Sequence, residues 1–229
     1  MWHRRITLTL AVLAVLLLAI SGLGTRTGLW PLWVGVGMFA GAMLTGLAAA
    51  GAAIVGVALP QLRARSTPLL IAAFVVGATS AAVPLEYVRR VKTLPYINDI
   101  TTDTERPPQF SPPKEYQGHF AELQRIGYPD LHPLELALPA KQAFARAVEI
   151  ARADGWEITA LDENGGTIEA VVTTRWFGFK DDVAIRITAS GAASRVDVRS
   201  KSRIGRSDAG ANEQRIRAFL QAFQSTQPK

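Results

Sequence analysis

Residues 98–103 bring together side chains that could bind a cation. Asp99 and Asp103 are carboxylates four positions apart, and Thr101 and Thr102 place hydroxyl groups between them. Hard cations bind carboxylate and other oxygen ligands. The same residue types more commonly form side-chain caps and Asx-turns. The segment therefore has two interpretations, a cation site and a structural turn.

Residues 199–208 form the densest polar cluster of the sequence, which runs from a predicted strand through Gly205 into a predicted helix start. Free amides at a helix N-terminus, the positive end of the helix dipole and nearby guanidinium groups together attract anions. The sequence therefore predicts an anion-binding site. Its candidate residues are Arg199, Arg203, Arg206 and Ser207.

In an alternative interpretation, the residues of this cluster stabilise the fold and bind no ligand. Asp208 then caps the helix that follows it. Arg199 or Arg203 pairs across strands, as arginines in sheets commonly do. The acidic residues available for that pairing are Glu169, Asp181 and Asp182.

The sequence shows no catalytic constellation. Its histidines are His3, His119 and His132, and none has a serine or paired carboxylates nearby in sequence. A hydrolytic triad needs a base oriented beside its nucleophile. Zinc ligation by His119, His132 and Asp130 would use a spacing that is not a recognised one. Because the chain has no cysteine, thiolate chemistry and disulfides are excluded. We predict no catalytic residue, no metal and no cofactor.

Three long apolar stretches fill the first third of the chain, at residues 6–23, 29–59 and 67–85. Each is about as long as the ~20 helical residues that cross a bilayer, and backbone groups in hydrocarbon must be paired within their own segment. The sequence therefore predicts three transmembrane α-helices, with residues 1–92 as a membrane anchor and the lipid bilayer as its partner. The stretches contain no charged residue, which argues against an ion pathway.

Small residues recur along the second stretch. Gly37 and Gly41 form a GxxxG motif, and Ala42, Gly46 and Ala50 continue a spacing of four. Small residues on one face let another helix approach closely. We predict that this face packs against the first and third helices, and a homodimer seam is the alternative.

The formal net charge of +6 belongs to the membrane flanks. Residues 1–92 carry a net charge of +7, whereas residues 93–229 carry −1. Basic residues beside spanning helices anchor topology and meet anionic headgroups. Little basic excess remains for a nucleic-acid face, so we predict no nucleic-acid partner.

If the N-terminus lies inside, four of the basic residues that flank the helices lie inside and four lie outside. The α-amino charge and the usual dominance of the first helix favour that orientation, which predicts an inner-membrane protein with a periplasmic C-terminal domain. If the first stretch is instead a cleaved signal peptide, the domain stays outside. The inside set is Arg4, Arg5, Arg63 and Arg65, and the outside set is Arg26, Arg89, Arg90 and Lys92.

The composition changes after the third stretch, because eight of the 13 prolines lie in residues 86–139. Proline restricts its own backbone and that of the preceding residue. We therefore predict that residues 93–133 are an extended or turn-rich connector, a wrapping arm that belongs to the soluble module.

Residues 134–229 predict a soluble α+β domain in the order β-α-β-β-β-β-α. Period-two alternation with one apolar face indicates an antiparallel meander packed on helices in a helix-grip-like arrangement. Glycine-rich turns separate the strands. The predicted strands are 134–138, 156–161, 167–176, 182–189 and 194–203, and the predicted helices are 139–153 and 209–223.

Several motifs of the second half, in their order, resemble the domain of unknown function 1499 family. They lie in residues 98–103, 107–110, 174–182 and 197–220, and the likeness covers roughly residues 95–223. The motif residues to which no role is given are Asp99, Thr101, Thr102, Asp103, Asp181, Asp182, Asn212 and Arg215. The resemblance implies an envelope location, and the N-terminal helices match membrane-anchored versions of the family. It implies no reaction and no catalytic residue. Asn98 departs from the histidine of the family motif.

The leading hypothesis is a non-enzymatic binding or scaffolding protein of the cell envelope, whose partner is an envelope protein or an anionic envelope component. The first alternative is a metal-assisted envelope hydrolase that uses Asp99, Asp103 or the pair Asp181 and Asp182. The second alternative is a small transporter or signalling subunit that acts through the helices themselves.

Overall fold

The computed structural model describes residues 2–63 and 67–225. They divide into two compact units. Unit 1 comprises residues 1–90 with Arg175–Gly178, and unit 2 comprises Val91–Thr174 with Phe179–Lys229. Arg65, one of the residues used to predict orientation, lies outside the described residues.

Unit 1 is helical. Its helices are α1 (Trp2–Arg26), α2 (Leu32–Ala58), the short α3 (Pro60–Arg63) and α4 (Thr67–Thr93). Three of them, α1, α2 and α4, are long and apolar enough to cross a membrane. The predicted three-helix architecture is confirmed, and the chain has the helices of a membrane protein.

The helix α4 continues past residue 85, where the predicted apolar span ends. Glu86 lies one turn before Arg89 and Arg90 and pairs with both, at 2.6 Å and 2.9 Å. Pairs of opposite charge at these spacings support a helix in water. The charged end of α4 therefore remains helical up to Thr93.

The close contact between α2 and α4 is made at Gly46. A Cβ atom added there would lie 2.5 Å from the carbonyl oxygen of Gly77. Gly37 has no atom within 4 Å of its own added Cβ in the described part of the chain. At 3.6 residues per turn, nine positions rotate a side chain by about 180°. The prediction that Gly37 shares the face of Gly46 was therefore wrong, although this face does pack within the chain.

The turn Arg175–Gly178 belongs to unit 1. Inside that unit, the Trp176 indole donates a hydrogen bond to Ser21 Oγ (3.3 Å), and Phe177 meets Phe39 edge to face at 5.7 Å. The predicted strand 167–176 therefore ends earlier, at Thr173.

Unit 2 is built on a six-stranded antiparallel sheet in the order β1-β6-β5-β4-β3, with β2 also paired to β6. Strands β3 to β6 form the predicted meander. The strands are β1 (Asp99–Thr101), β2 (Leu134–Leu136), β3 (Glu157–Asp162), β4 (Thr167–Thr173), β5 (Lys180–Ser190) and β6 (Ala193–Ser202).

The apolar face of this sheet packs on helices. The helices of unit 2 are α5 (Gly118–Gly127), α6 (Ala140–Ala153) and α7 (Ala211–Ser225). Phe144 of α6 and Phe219 of α7 join Val196 and Val198 of β6 in one buried cluster. Alternate strand residues therefore reach the core, as period two requires. The predicted α+β domain is confirmed.

The segment between α4 and β2 contains two elements that the sequence did not predict. Strand β1 has only three residues, too few for an alternating pattern to be recognised. Helix α5 has ten residues and buries Phe120, Ala121 and Gln124. Its start has no side-chain cap, so the usual sequence marker of a helix N-terminus is missing.

The opposite face of the sheet is charged, and residues 102–116, which we call the arm, cover it. Two backbone amides of the arm attach it to the sheet. Thr102 N donates to the Val198 carbonyl (2.9 Å), and Ser111 N donates to the Glu169 carboxylate (3.0 Å). We call this side of the sheet the polar face. Its residues are Asp99, Thr101, Asp182, Arg186, Arg195, Asp197, Arg199 and Lys201.

Candidate functional site

The centre of the polar face is an ion pair between Arg199 and Asp99. Both side chains are 0% exposed. The guanidinium donates two parallel hydrogen bonds to the carboxylate, from Nε to Oδ1 at 2.9 Å and from Nη2 to Oδ2 at 2.8 Å. Lys201 Nζ donates to the same carboxylate at 2.7 Å. Two cations therefore hold one buried anion.

The arm satisfies the remaining donors of Arg199. Its Nη1 donates to the Pro108 carbonyl at 3.2 Å, and its Nη2 donates to the Lys114 carbonyl at 3.1 Å. The guanidinium carbon lies 4.9 Å from the ring centre of Phe110 and 5.4 Å from that of Tyr116. Aromatic faces attract cations, more strongly when water is excluded. Arg199 is thus fully solvated by protein groups.

A second ion-pair group surrounds Asp182. Arg203 donates to its carboxylate from Nε at 3.0 Å and from Nη2 at 2.7 Å. Lys114 of the arm pairs with the other carboxylate oxygen. The group ties the end of β6 and the arm to β5. It provides the cross-strand pairing between Arg203 and Asp182 that the structural interpretation of this cluster contained.

A third group joins Asp103 and Asp197 to two arginines. Arg186 Nη2 lies 3.1 Å from Asp103 Oδ2 and 3.0 Å from Asp197 Oδ2. Arg195 Nη2 lies 3.0 Å and 3.1 Å from oxygens of the same two carboxylates. Asp103 Oδ1 also accepts backbone N–H hydrogen bonds, as in an Asx-turn. Asp103 therefore forms a turn and closes the arm over the sheet.

These contacts change the pKa values of two carboxyl groups. Burial alone would raise the pKa of Asp182, but hydrogen bonds and charge from Arg203 and Lys114 outweigh it, so the pKa lies below its usual value. Burial likewise opposes ionisation of Asp103, and the amide hydrogen bonds of Arg106 and Glu105, with two nearby guanidinium groups, hold its pKa low. Both groups therefore favour folding when they are ionised.

Acidification is expected to destabilise unit 2 below about pH 4. The stabilisation from Asp182 and Asp103 is fully present above the ordinary value of 3.8 and is lost as the pH falls through the lowered values of the folded state. The free energy of unfolding of the full-length protein in neutral detergent, measured against pH with denaturant, tests this expectation.

The matched variant for this measurement is Asp182→Asn. It should be less stable at neutral pH because an ion pair is lost, yet its stability should fall less steeply below about pH 4, since one titrating group is gone. Parallel curves for the two proteins would show that Asp182 does not contribute to acid lability.

A fourth group lies between β5, β6 and α7. Arg215 donates from Nη2 to Asp181 at 2.6 Å and from Nη1 to Ser200 Oγ at 2.8 Å. Asn212 accepts from the Ser200 hydroxyl at 2.7 Å and donates to the Asn98 carbonyl at 3.1 Å. These motif residues therefore fix α7 to the sheet.

Thr101 of β1 and Thr102 of the arm make structural hydrogen bonds. The Gln124 side chain accepts from Thr101 N at 2.9 Å and donates to Thr101 O at 2.6 Å, as a paired strand would. Thr102 Oγ1 accepts from Val198 N at 2.9 Å. The hydroxyls do not point to a common ligand with Asp99 and Asp103, whose carboxylates are taken by arginines.

The loop 203–207 between β6 and α7 is the exposed part of the predicted anion site. Asp208 caps α7, because its carboxylate accepts from Gly210 N at 2.9 Å and from Asn212 N at 2.8 Å. Burial raises the pKa of that carboxyl, although these bonds oppose the change. Ser207 Oγ accepts from Ala209 N at 3.3 Å. The cap leaves fewer amides for an anion.

The charge of Arg206 is available to a ligand. Its side chain is exposed and forms no ion pair within residues 2–63 and 67–225. Asn98 donates from Nδ2 to the Gly205 carbonyl at 2.6 Å and so holds the loop.

The structure separates the four residues of the predicted anion site. Arg203, Arg206 and Ser207 share the loop, whereas Arg199 lies on the polar face under the arm. The described residues hold no group of three or more His, Asp or Glu side chains suited to a metal ion. Asp130, a residue of the zinc hypothesis, binds Arg217 through both oxygens, at 2.7 Å and 2.8 Å. Anion binding by the loop stays a prediction.

Sequence reasoning missed the contributions of the arm and of the strand arginines. Lys114, Phe110 and Tyr116 surround the buried charges, and no spacing in the sequence indicates that they should. Arg186 and Arg195 had no predicted role beyond the period-two alternation of their strands. Their alternation with Val183 and Val196 was a usable signal, because it placed them on the side away from the core.

Comparison with known proteins gives a family for this domain. No curated protein matches the chain. The family model described as "Protein of unknown function (DUF1499)" matches residues 99–223, which is more than half of the 229 residues and includes the polar face, the arm and most of α7. Because this match covers more than half of the chain, the chain belongs to the DUF1499 family.

Proposed function

We propose that this protein is a membrane-anchored binding module of the cell envelope, without catalytic activity, whose unit 2 lies on the extracytoplasmic side of the inner membrane. Its ligand is an anionic envelope component or an envelope protein that presents such groups. The binding element is the loop 203–207, and Arg206 is its charged contact.

The ion pairing of the motif carboxylates supports binding over hydrolysis. Asp99, Asp181 and Asp182 each accept from an arginine at 3.0 Å or less, and Asp103 lies 3.0 Å from Arg195. A metal-assisted hydrolase would need carboxylates that are free to take a metal or a proton. If one of these carboxylates were separated from its arginine, a desolvated charge would be left unpaired. The paired carboxylates are therefore better suited to a rigid scaffold than to catalysis.

The exposed loop supports an anionic ligand. Arg206 carries its charge without an internal partner in the described part of the chain, and Arg203 beside it is partly exposed although it is paired with Asp182. A guanidinium group binds carboxylate and phosphate through parallel hydrogen bonds. The basic start of α1, with Arg4 and Arg5, favours an inside N-terminus and so supports an external unit 2.

Phosphate is the probe that tests the loop. We expect the full-length protein in neutral detergent to bind inorganic phosphate or glycerol 3-phosphate saturably in calorimetric titration. Arg206→Glu should weaken this binding by at least about tenfold, because hydrogen bonds to charged groups contribute about 1.5–3 kcal/mol.

Arg152→Glu is the matched control, because Arg152 is an exposed arginine of α6 and its substitution changes the net charge by the same amount. It should leave phosphate binding unchanged. If the wild-type protein binds neither anion, or if both variants lose binding equally, the loop is not the binding element.

A further inference from the structure

A turn from the second half of the chain is part of unit 1. The turn Arg175–Gly178 belongs to the same compact unit as α1 and α2. An added Cβ at Gly22 of α1 would lie 2.6 Å from the Trp176 carbonyl oxygen, so the turn backbone packs directly on the helix. Arg26 Nη1 donates to the Arg175 carbonyl at 2.6 Å. These contacts fix the turn against the last residues of α1.

The same turn reaches α2 through Phe177. An added Cβ at Gly35 of α2 would lie 3.3 Å from Phe177 Cε1, so the glycine leaves space that the ring fills. The Phe177 ring also meets the ring of Phe39. Phe39 in turn contacts Tyr87 of α4 edge to face, with 6.1 Å between the ring centres. The turn and Phe39 therefore connect the end of α1 to the charged end of α4.

These contacts place the turn where two apolar stretches end. Trp176 packs on Gly22 and bonds to Ser21, and the first apolar stretch ends at residue 23. Tyr87 lies two residues beyond the third apolar stretch, which ends at residue 85. In helices long enough to cross a membrane, the end of the apolar stretch marks the boundary between hydrocarbon and headgroups. The turn therefore lies at the level of that boundary.

The turn presents an indole ring and basic side chains at this level. Trp176 is 45% exposed, although its indole N–H is bonded within unit 1. Arg175 and Arg26 beside it are exposed, and neither forms an ion pair within residues 2–63 and 67–225. Tryptophan and arginine both suit a membrane interface, because each combines an apolar body with a polar end. Tryptophan is enriched at that interface for this reason.

We infer that the turn Arg175–Gly178 anchors the protein at the membrane interface. Trp176 lies among the lipid headgroups, and Arg175 and Arg26 bind the phosphate group of an anionic phospholipid. This goes beyond the proposed function, because the surface is a different one from the loop 203–207. Lipid is favoured over a second copy of the chain, since a two-fold contact at this turn would bring the exposed arginines of both copies together. Lipid is also the medium that surrounds membrane-crossing helices.

Fluorine NMR tests the position of Trp176. The full-length protein is deuterated, labelled with 5-fluorotryptophan and reconstituted in nanodiscs of protonated phosphatidylcholine and phosphatidylglycerol. Trp176→Phe and Trp156→Phe identify the two resonances by their loss. Saturation of the lipid protons should reduce the Trp176 resonance, because saturation passes only between atoms in close contact. Trp156 stacks on Phe219 in the buried core of unit 2, so its resonance is the internal control and should not respond.

Selectively protonated lipid tests the charge. When phosphatidylglycerol alone is protonated, transfer to the Trp176 resonance measures contact with anionic lipid. Arg175→Gln should lower this transfer at least about threefold, as expected when a basic residue is lost near an anionic surface. Transfer from both lipids together should stay nearly the same, because the indole ring keeps its position. Arg152→Gln, at an exposed position of α6, is the matched control and should change neither measurement.

Two results would overturn the inference. If lipid protons transfer nothing to the Trp176 resonance, or no more than to Trp156, then water or protein covers the indole ring. If Arg175→Gln and Arg152→Gln give the same transfer from phosphatidylglycerol, the arginine does not bind the lipid phosphate. Neither measurement involves Arg206, so the two proposals can fail separately. Loss of phosphate binding at the loop 203–207 would reject the proposed function and leave the membrane anchor in place.

Discussion

Asp99→Ala is expected to destabilise unit 2 by about 3–5 kcal/mol, the usual cost of leaving one partner of a buried ion pair without the other. Arg199 is fully buried and donates two of its hydrogen bonds to Asp99. Without that carboxylate, the guanidinium would keep its charge in a site closed by the arm. Denaturant-induced unfolding of the full-length protein, followed by hydrogen exchange at the amides of β6, measures the change.

Asp130→Ala is the control for this prediction. Asp130 also binds an arginine, Arg217, through both of its oxygens, but its side chain is 69% exposed. Water screens an exposed pair, which therefore contributes little to folding, so the control should change stability little. An equal effect of the two substitutions would show that burial does not determine the importance of the Asp99 pair.

The double variant Asp99→Leu, Arg199→Met separates charge from packing. Replacing both members of a buried pair by apolar residues is often neutral or stabilising. It should therefore recover much of the stability that Asp99→Ala loses, although the carbonyls of Pro108 and Lys114 would lose a donor. If the double variant is as unstable as the single one, these carbonyls, rather than the charge, govern the site.

The elements that bury one face were predictable from the sequence. In β5 the residues Val183, Ile185 and Ile187 recur at every second position, and all three lie in the core. In α7 the residues Ile216 and Phe219 recur at helical spacing and are fully buried. Periodicity records which side of an element faces the core, so strands β3 to β6 and helices α6 and α7 were found with only small errors at their ends.

The partners of the charged motif residues were not predictable in the same way. Asp99 and Arg199 are 100 positions apart in sequence and meet because β1 pairs with β6, with Thr101 opposite Arg199 in the register. A three-residue strand leaves no pattern from which that register could be read. The sequence therefore identified both residues as candidates but assigned one to a cation site and the other to an anion site.

The arm is the second reason why the observed site differs from the site that the sequence predicted. A strand that alternates apolar and charged residues usually turns its charges toward water. Here residues 102–116 cover those charges, and carbonyl groups and aromatic rings take the place of water. The prolines indicated an extended segment, but nothing in their spacing indicates which surface an extended segment will cover.

The strongest effect in unit 1 is expected from Gly46→Val. The Cβ of the new residue would lie 2.5 Å from the Gly77 carbonyl oxygen and 3.1 Å from Ala81 N, both of them backbone atoms. Because a backbone contact is not relieved by a change of rotamer, α2 and α4 must move apart, at a cost of about 1–3 kcal/mol or more. Thermal unfolding in detergent, followed by the helical circular dichroism signal, should show a lower midpoint.

Gly51→Val in the same helix is the matched control. It makes the same chemical change, and an added Cβ at Gly51 has no atom within 4 Å in the described part of the chain. Valine is no less favourable than glycine inside a helix, so this variant should unfold at or above the wild-type midpoint. If the two variants lose equal stability, the cost comes from valine in α2 itself. If Gly46→Val matches the wild type, the close approach of α2 to α4 contributes nothing to the stability of unit 1.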